Sequence, residues 1–337
     1  MAPDHLTVRA PVRIDLAGGG SDVTPFAARE WGMVVNAALD RYATVTLRRR
    51  ADRRLVLTSA DLGVQETYAD LGAVRHDTPL RLLTAALAAV GVDGGLDVYV
   101  QTDVPAGSGL GASAAVSVAL LWALQRLRGA VPDRTVVADT AVRLETAGLR
   151  ITGGGQDQYA AAFGGLQALH FAAGTVVRRP LAVPAATQQA LAESLVLCYS
   201  GTAHLSGAVL AEVMALYEAG DAATRTRLYT LRDLAARVEA CLIAGDLADL
   251  GALLTANWRA FRAFHPHVST PAIEQIFALG AAHGATGGKA TGAGGGGCVL
   301  LACPPSRRLA LCAALTAAGF PPLAFGWDVT GVTACES

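Results

Sequence analysis

The chain has 337 residues, 52% of them apolar, which is enough to bury one large core or two ordinary ones. Its 27 Lys and Arg against 28 Asp and Glu leave a net charge of −1, so no overall field draws in a polyanion, and nucleic acid is not an expected partner. The six cysteines all lie in the C-terminal half with none in a CxxC pair, which reads as reduced thiols rather than a disulfide frame or a zinc site. Residues 1–13 already alternate like a strand and carry charges, so no secretory leader is assigned and a cytoplasmic location is expected.

Near-alternation of apolar and polar residues predicts strands over Leu6–Leu16 and within Val34–Arg48, where Ala43-Thr-Val-Thr-Leu47 is the β-rich run. Leu80, Leu83, Leu87 and Val90 recur at helical spacing over Pro79–Val90, and Gly91 supplies the stop. Leu96–Val104 reads as a strand that runs into Pro105-Ala-Gly-Ser-Gly-Leu-Gly-Ala-Ser113 and then the apolar helix Ala114–Leu127. The longest uncharged stretch, Val104–Gln125, is broken by Pro105 and three glycines, so a buried helix is expected there and not a membrane span. A helix from Asp133, its N-cap, runs to about Gly148. Pro180 and Pro184 loosen the pattern and set a division into 1–180 and 181–337. Beyond it, helices are expected over Ser206–Glu218, Arg225–Ala244, Leu247–Phe264 and Pro271–Gly284, and a strand over Cys298–Cys303.

Three glycine clusters carry the chemical signal. Glycine lets backbone N–H groups approach a phosphate without a Cβ clash, and a loop between strand and helix adds the positive end of the helix dipole. Gly107–Ser113 meets both conditions. It also fits the dinucleotide pattern GxGxxG/A, but the acidic residue expected at the end of a second strand is missing, and no Walker A sequence occurs. The second cluster, Thr152-Gly-Gly-Gly-Gln-Asp157, puts a carboxylate ahead of a small-residue helix over Tyr159–Phe163, where Asp157 is either a reacting group or an N-cap. The third, Gly287-Gly-Lys-Ala-Thr-Gly-Ala-Gly-Gly-Gly-Gly297, leads into an apolar strand.

Together, Ala10-Pro-Val-Arg-Ile-Asp-Leu-Ala-Gly-Gly-Gly-Ser-Asp22, Pro105–Ala115 and Lys289–Cys298 resemble the three motifs of the GHMP kinases, over nearly the whole chain. The Ala-Gly-Gly-Gly-Ser-Asp form, Asn36–Tyr42 and Gln156–Gly165 are similar to the D-glycero-D-manno-heptose 7-phosphate kinases and to the kinase part of fucokinase. Gly19-Gly20 replace the Glu-His of galactokinases. Two departures stand out: the heptose kinases carry a lysine where this chain has Gly155, and Thr202–Ser206 replaces their Arg- and Ser-containing segment.

The resemblance implies an α+β, two-lobed fold, with a ribosomal protein S5 domain 2-like N-terminal lobe, a ferredoxin-like C-terminal lobe and the active site between them. It implies ATP and Mg²⁺, a sugar or sugar-phosphate acceptor, a soluble monomer or homodimer, and transfer to a sugar hydroxyl, the anomeric one of a heptose 7-phosphate. Other readings are a fucose-, galactose- or mannose-type 1-kinase and a non-catalytic sensor on the same fold. By the same resemblance Asp157 and Arg13 serve catalysis, and Pro105, Gly107, Ser108, Gly109, Leu110, Gly111, Ala112 and Ser113 hold the nucleotide. Ser113 and Glu145 hold the metal. Gly19, Gly20, Ser21, Asp22, Gly294, Gly295 and His204 face the acceptor. Plainer roles compete: Arg13 in a strand-surface ion pair, Glu145 as an exposed helix-end charge, Asp22 in a turn or as an N-cap before Pro25. Arg259, Arg262 and His265 are further cations that could meet a sugar phosphate if their helices face the cleft.

Overall fold

Two long antiparallel strands form the spine of the first sheet, β1 (His5–Ala17) and, after the short helix α1 (Phe26–Glu30), β2 (Gly32–Arg49). A computed structural model describes residues 4–75, 77–203 and 207–335. Two short strands follow, β3 (Leu55–Ser59) and β4 (Val64–Tyr68), then α2 (Arg81–Val90), which ends at Gly91 in the left-handed conformation. Next come β5 (Leu96–Thr102), the first-cluster loop and α3 (Ala112–Leu127), whose small and branched residues are buried on most sides, as expected of a helix without a polar face. The N–H of Val136 donates to the Asp133 carboxylate at 2.9 Å and so starts α4 (Arg134–Arg143). That helix passes into one π turn, Leu144–Gly148, and the second glycine cluster leads to α5 (Gln156–Phe163), β6 (Leu166–Ala172) and β7 (Thr175–Pro180).

The remaining elements are α6 (Ala185–Ser194), β8 (Leu195–Tyr199), α7 (Ala208–Glu218), α8 (Ala222–Ala244), α9 (Leu250–Arg262), α10 (Pro271–Ala282), β9 (Gly287–Ala290), β10 (Cys298–Ala302), α11 (Pro305–Ala317), β11 (Pro322–Leu323) and β12 (Thr333–Cys335). The first sheet runs β12-β1-β2-β5-β3-β4, and the other half of β2's outer edge takes β6, followed by β7. The second runs β11-β8-β10-β9, antiparallel throughout. Helix α8 packs on β1 and β2, while its neighbour α9 packs on β9, β10 and β1, so this helix pair bridges the sheets.

The expected helix after Asp133 gives up its α pitch at Leu144, and the expected helix at Tyr159 begins three residues earlier, so Asp157 lies in its first turn and Gly155 is the cap. β7 ends at Pro180, but β12 returns to pair with β1 in the first sheet, so chain order and sheet membership diverge at the C-terminus. Among the described residues no helix is long and apolar enough to cross a membrane.

One polar contact ties the sheets together in the core. Lys289 on β9 donates from Nζ to the Asp15 carboxylate at 2.6 Å and to the Asp15 carbonyl at 2.9 Å, with both residues 3% exposed or less. Removing one partner strands the other charge, at a cost of about 3–5 kcal/mol. Lys289→Ala should therefore lower the urea unfolding midpoint sharply, while the double variant Asp15→Leu/Lys289→Met, which removes both charges and keeps the volume, should recover most of that loss. A single variant as stable as the parent contradicts this account.

Candidate active site

Two of the three glycine clusters meet in space. The Ser108 carbonyl accepts from the Cys298 N–H at 2.7 Å and from Thr291 Oγ1 at 3.4 Å. At Gly109, φ is +72° and a Cβ would lie 2.7 Å from the Thr291 carbonyl, so only glycine allows this approach. The first-cluster loop is also held to β1, because the Arg13 N–H donates to the Leu110 carbonyl at 2.9 Å. Irregularities in the β1–β2 register fall between Pro11 and Arg13 and between Asp15 and Ala17, bracketing two side chains two residues apart that share one face of the strand.

That face lines a cavity of about 210 Å³ between the sheets. Arg13, Asp15, Gly19, Gly20 and Asp22 form one wall, the loop Gly107–Ser113 without Leu110 the second, Glu145 and Gly153–Gln158 without Gly155 a third, and Phe261, Gly292 and Ala293 the side nearest the second sheet. Among the described residues seven buried side-chain polar atoms lack a partner, and four of them (Asp15 Oδ1, Ser108 Oγ, Gln156 Oε1 and Gln158 Oε1) belong to residues of this lining. Buried polar atoms are normally satisfied, so their concentration here marks a place built for a polar ligand. An apolar cleft of about 320 Å³ lies on the other flank of the same loop, lined by Leu62, Leu80, Leu83, Val100 and Val116.

Charge inside the cavity is unevenly compensated. Arg13 is 4% exposed, and its Nε and Nη2 reach Asp157 Oδ1 at 2.7 and 2.6 Å while Nη1 donates to the Gly109 carbonyl at 2.7 Å. It is thus a buried cation at the phosphate-type loop and not a strand-surface pair, and Asp157 faces Arg13 without capping its helix. Glu145 sits in the π turn, with Ser113 Oγ and Ser117 Oγ at 3.5 and 3.2 Å from its Oε1. It is not a solvated helix-end charge: burial, reinforced by the charge of Asp157, pushes its carboxyl up to about 7.

Not every residue singled out in the sequence reaches the cavity. Ser21 is fully buried and donates from Oγ to the Gly18 and Met33 carbonyls at 2.8 and 3.0 Å, so it pins the turn and does not face a ligand. Leu110 points into the core, and the Pro105 carbonyl closes a turn onto the Ser108 N–H at 3.1 Å. Gly294 and Gly295 pack against Val268, whose carbonyl accepts from the Gly295 N–H at 2.6 Å, and Gly292 and Ala293 line the cavity in their place. Arg262 and His265 face Glu274 and Glu212 at 3.2 and 3.4 Å, and neither they nor Arg259 line the cavity. His204 lies outside the described residues. Asp15, Lys289, Gln156 and Gln158 drew no role from sequence; the available signal was Asp15 two positions beyond Arg13 and a lysine set among glycines.

Asp22 accepts from the Gly20 N–H at 3.0 Å and the Gln156 N–H at 3.4 Å, a turn contact and a cross-chain contact at once, and it does not cap α1. Burial, with the charges of Asp157 and Asp15 behind it, raises its carboxyl from 3.8 to about 6. A raised folded-state value means that the protonated acid contributes stability at low pH that is lost as pH rises through about 6. Asp22→Asn, which stays neutral, should therefore gain unfolding midpoint relative to the parent more at about pH 7.5 than at about pH 5. An equal difference at both pH values would contradict the shift.

Comparison with known proteins agrees with this architecture. Residues 77–165 match the model of the GHMP kinases N terminal domain and residues 238–320 that of the GHMP kinases C terminal domain, together just over half of the chain. The chain is 27% identical over 316 residues to the D-glycero-alpha-D-manno-heptose 7-phosphate kinase of Campylobacter jejuni, covering 92% of this chain and 93% of that one. It is 28% identical over 320 residues to the L-fucokinase/L-fucose-1-P guanylyltransferase of Bacteroides fragilis, covering 86% of this chain and 33% of that longer protein. Among solved structures, a D-glycero-D-manno-heptose 1-phosphate kinase from Bacteroides thetaiotaomicron superposes with a TM-score of 0.81 at 23% identity, covering 98% of this chain and 99% of that one. With matching N- and C-terminal domains, the shared two-lobed fold and kinase relatives along nearly its full length, the chain belongs to the GHMP kinases, enzymes that use ATP as phosphate donor.

Proposed function

We propose that this kinase transfers the γ-phosphoryl group of ATP to the anomeric 1-OH of a heptose 7-phosphate. The observation that carries the reading is the 210 Å³ cavity, in which a glycine loop at a helix start, a buried Arg–Asp pair and three further carboxylates converge. The near full-length likeness to the Campylobacter enzyme supports the acceptor class.

In this reading the N–H groups of Gly107–Ser113 and the start of α3 receive the triphosphate, and the apolar cleft beyond the loop takes the adenine ring. Ser113 and Glu145, 3.5 Å apart, offer the oxygen donors that suit Mg²⁺. Two protein ligands make no closed cage, which fits an ion that keeps water and phosphate oxygens for the rest of its shell. When bound, the ion would supply charge neutralisation to the phosphate chain. Arg13, fixed by Asp157 and the Gly109 carbonyl, holds its guanidinium where charge on the transferring group accumulates. Asp157 orients the acceptor hydroxyl and takes its proton to the extent that the loose transition state needs one removed. Asp22, with Gly19 and Gly20 beside it, holds acceptor hydroxyls. Residues 1–180 carry the nucleotide side and 181–337 the second lobe, apart from β12, which returns to the first sheet.

A fucose-type 1-kinase is the second reading, favoured by the likeness to the Bacteroides fragilis enzyme and by Gly155. ADP release with Mg-ATP against heptose 7-phosphate, fucose, galactose, mannose and mevalonate separates the candidates. Heptose 7-phosphate should give the highest kcat/KM, and Asp157→Ala should lower it at least about a hundredfold. Highest turnover on fucose installs the second reading, and ATP binding without turnover on any acceptor favours a sensor.

A further inference from the structure

A second cavity, about 520 Å³, adjoins the one just described and, apart from the shared Asp22 wall, has been given no role above. The two share Asp22 and Ile151–Gly154 in their linings, so they meet beside Asp22, and of these residues Ile151 also borders the apolar cleft. Most of its surface is apolar, with Val142, Phe171 and Val176 prominent. Its size depends on the second glycine cluster: a Cβ on Gly155 would come within 3.1 Å of Phe171 and 3.3 Å of Val142, and a Cβ on Gly154 would collide with the Asp22 carboxylate.

Arg150 and Asp22 are the two charged residues of this lining. The Asp22 oxygens are turned to the Gly20 and Gln156 N–H groups. Arg150 has no hydrogen bond or ion pair with any described residue, and it is exposed at the cavity wall. It is also held at φ +54°, a left-handed backbone that a long side chain adopts only at a cost and that accompanies functional positions. The next residue explains the constraint, because the Ile151 N–H donates to the Glu145 carbonyl at 3.0 Å and ties the segment to the π turn. Beside Arg150, the hydroxyl of Thr152 and the N–H groups of Thr152, Gly153 and Gly154 are likewise without protein acceptors among the described residues, whereas Thr146 and Thr175 spend their hydroxyls on the Val142 and Ala172 carbonyls. An unpaired guanidinium beside free backbone donors is the chemistry that recognises a phosphate.

We infer that this cavity receives the distal end of the acceptor and that Arg150 binds a phosphate already carried there, which makes Arg150 a specificity-determining residue. The inference rests on the sugar-kinase reading and deepens it: the apolar wall holds the carbon chain, and the reacting hydroxyl remains at Asp157.

The test is calorimetric binding of heptose 7-phosphate and of the same heptose without phosphate, each in the presence of a non-hydrolysable ATP analogue. Arg150→Gly is the variant of choice because glycine accepts the left-handed backbone freely. In the parent, the phosphorylated sugar should bind roughly tenfold to a hundredfold more tightly than the unphosphorylated one, and Arg150→Gly should erase that margin while leaving the unphosphorylated sugar unchanged. Equal binding of the two sugars by the parent, or an equal loss for both in the variant, overturns the role of Arg150 and leaves the kinase reading standing. Binding of neither sugar overturns both, and turnover on a non-sugar acceptor would then retain only the kinase.

Discussion

The contact on which the rest of the molecule depends is the buried ion pair between Asp15 and Lys289. It joins residues 274 positions apart, one on the long strand β1 of the first sheet and one on the edge strand of the second. Burial pulls the lysine below its ordinary value while Asp15 opposes that shift, so neither charge is tolerable without the other. Because the pair fixes β9 against β1, the glycine cluster that follows β9 arrives beside the loop that precedes α3. The 2.7 Å bond between the Cys298 N–H and the Ser108 carbonyl is a consequence of that placement.

The cavity that results is electrostatically unfinished. Four carboxylates line it, Asp15, Asp22, Glu145 and Asp157; Lys289 answers Asp15 and Arg13 answers Asp157, and burial raises the other two, to about 6 and about 7. A site that holds excess negative charge in a low-dielectric cleft gains most from a ligand that brings cations and hydroxyl donors. In the proposed function, magnesium with ATP and a polyhydroxylated acceptor would supply both. In this view the sheet-to-sheet pair is matched in charge while unsatisfied groups gather at the site, a division common where binding has to compensate for what folding leaves unpaired.

Much of this was legible in the residues. The strand, glycine loop and helix at 96–127 announce themselves, since alternation, three glycines and an uncharged helical run each have one local explanation. Arg13, Asp157, Glu145 and Ser113 were legible through motif resemblance, and the structure brings them into one cavity. What stayed hidden depends on partners distant in sequence. Nothing local says that Ser21 is consumed by two backbone carbonyls, or that Gly294 and Gly295 face Val268. The short strands at 55–59 and 64–68 have too few residues for a period-two signal, and the three-residue β12 owes its existence to the open edge of β1. The π turn at Leu144 was hidden for another reason: its residues keep helical spacing in sequence while the backbone widens by one residue.

The central claim is that these groups converge on the anomeric oxygen of a sugar. Proton-coupled phosphorus NMR of the product formed from ATP and heptose 7-phosphate tests it most directly. The account requires a new phosphorus resonance coupled to the anomeric proton, with ADP formed in equal amount. A new phosphoryl group coupled to any other ring proton, or orthophosphate as the only new phosphorus species, would contradict it.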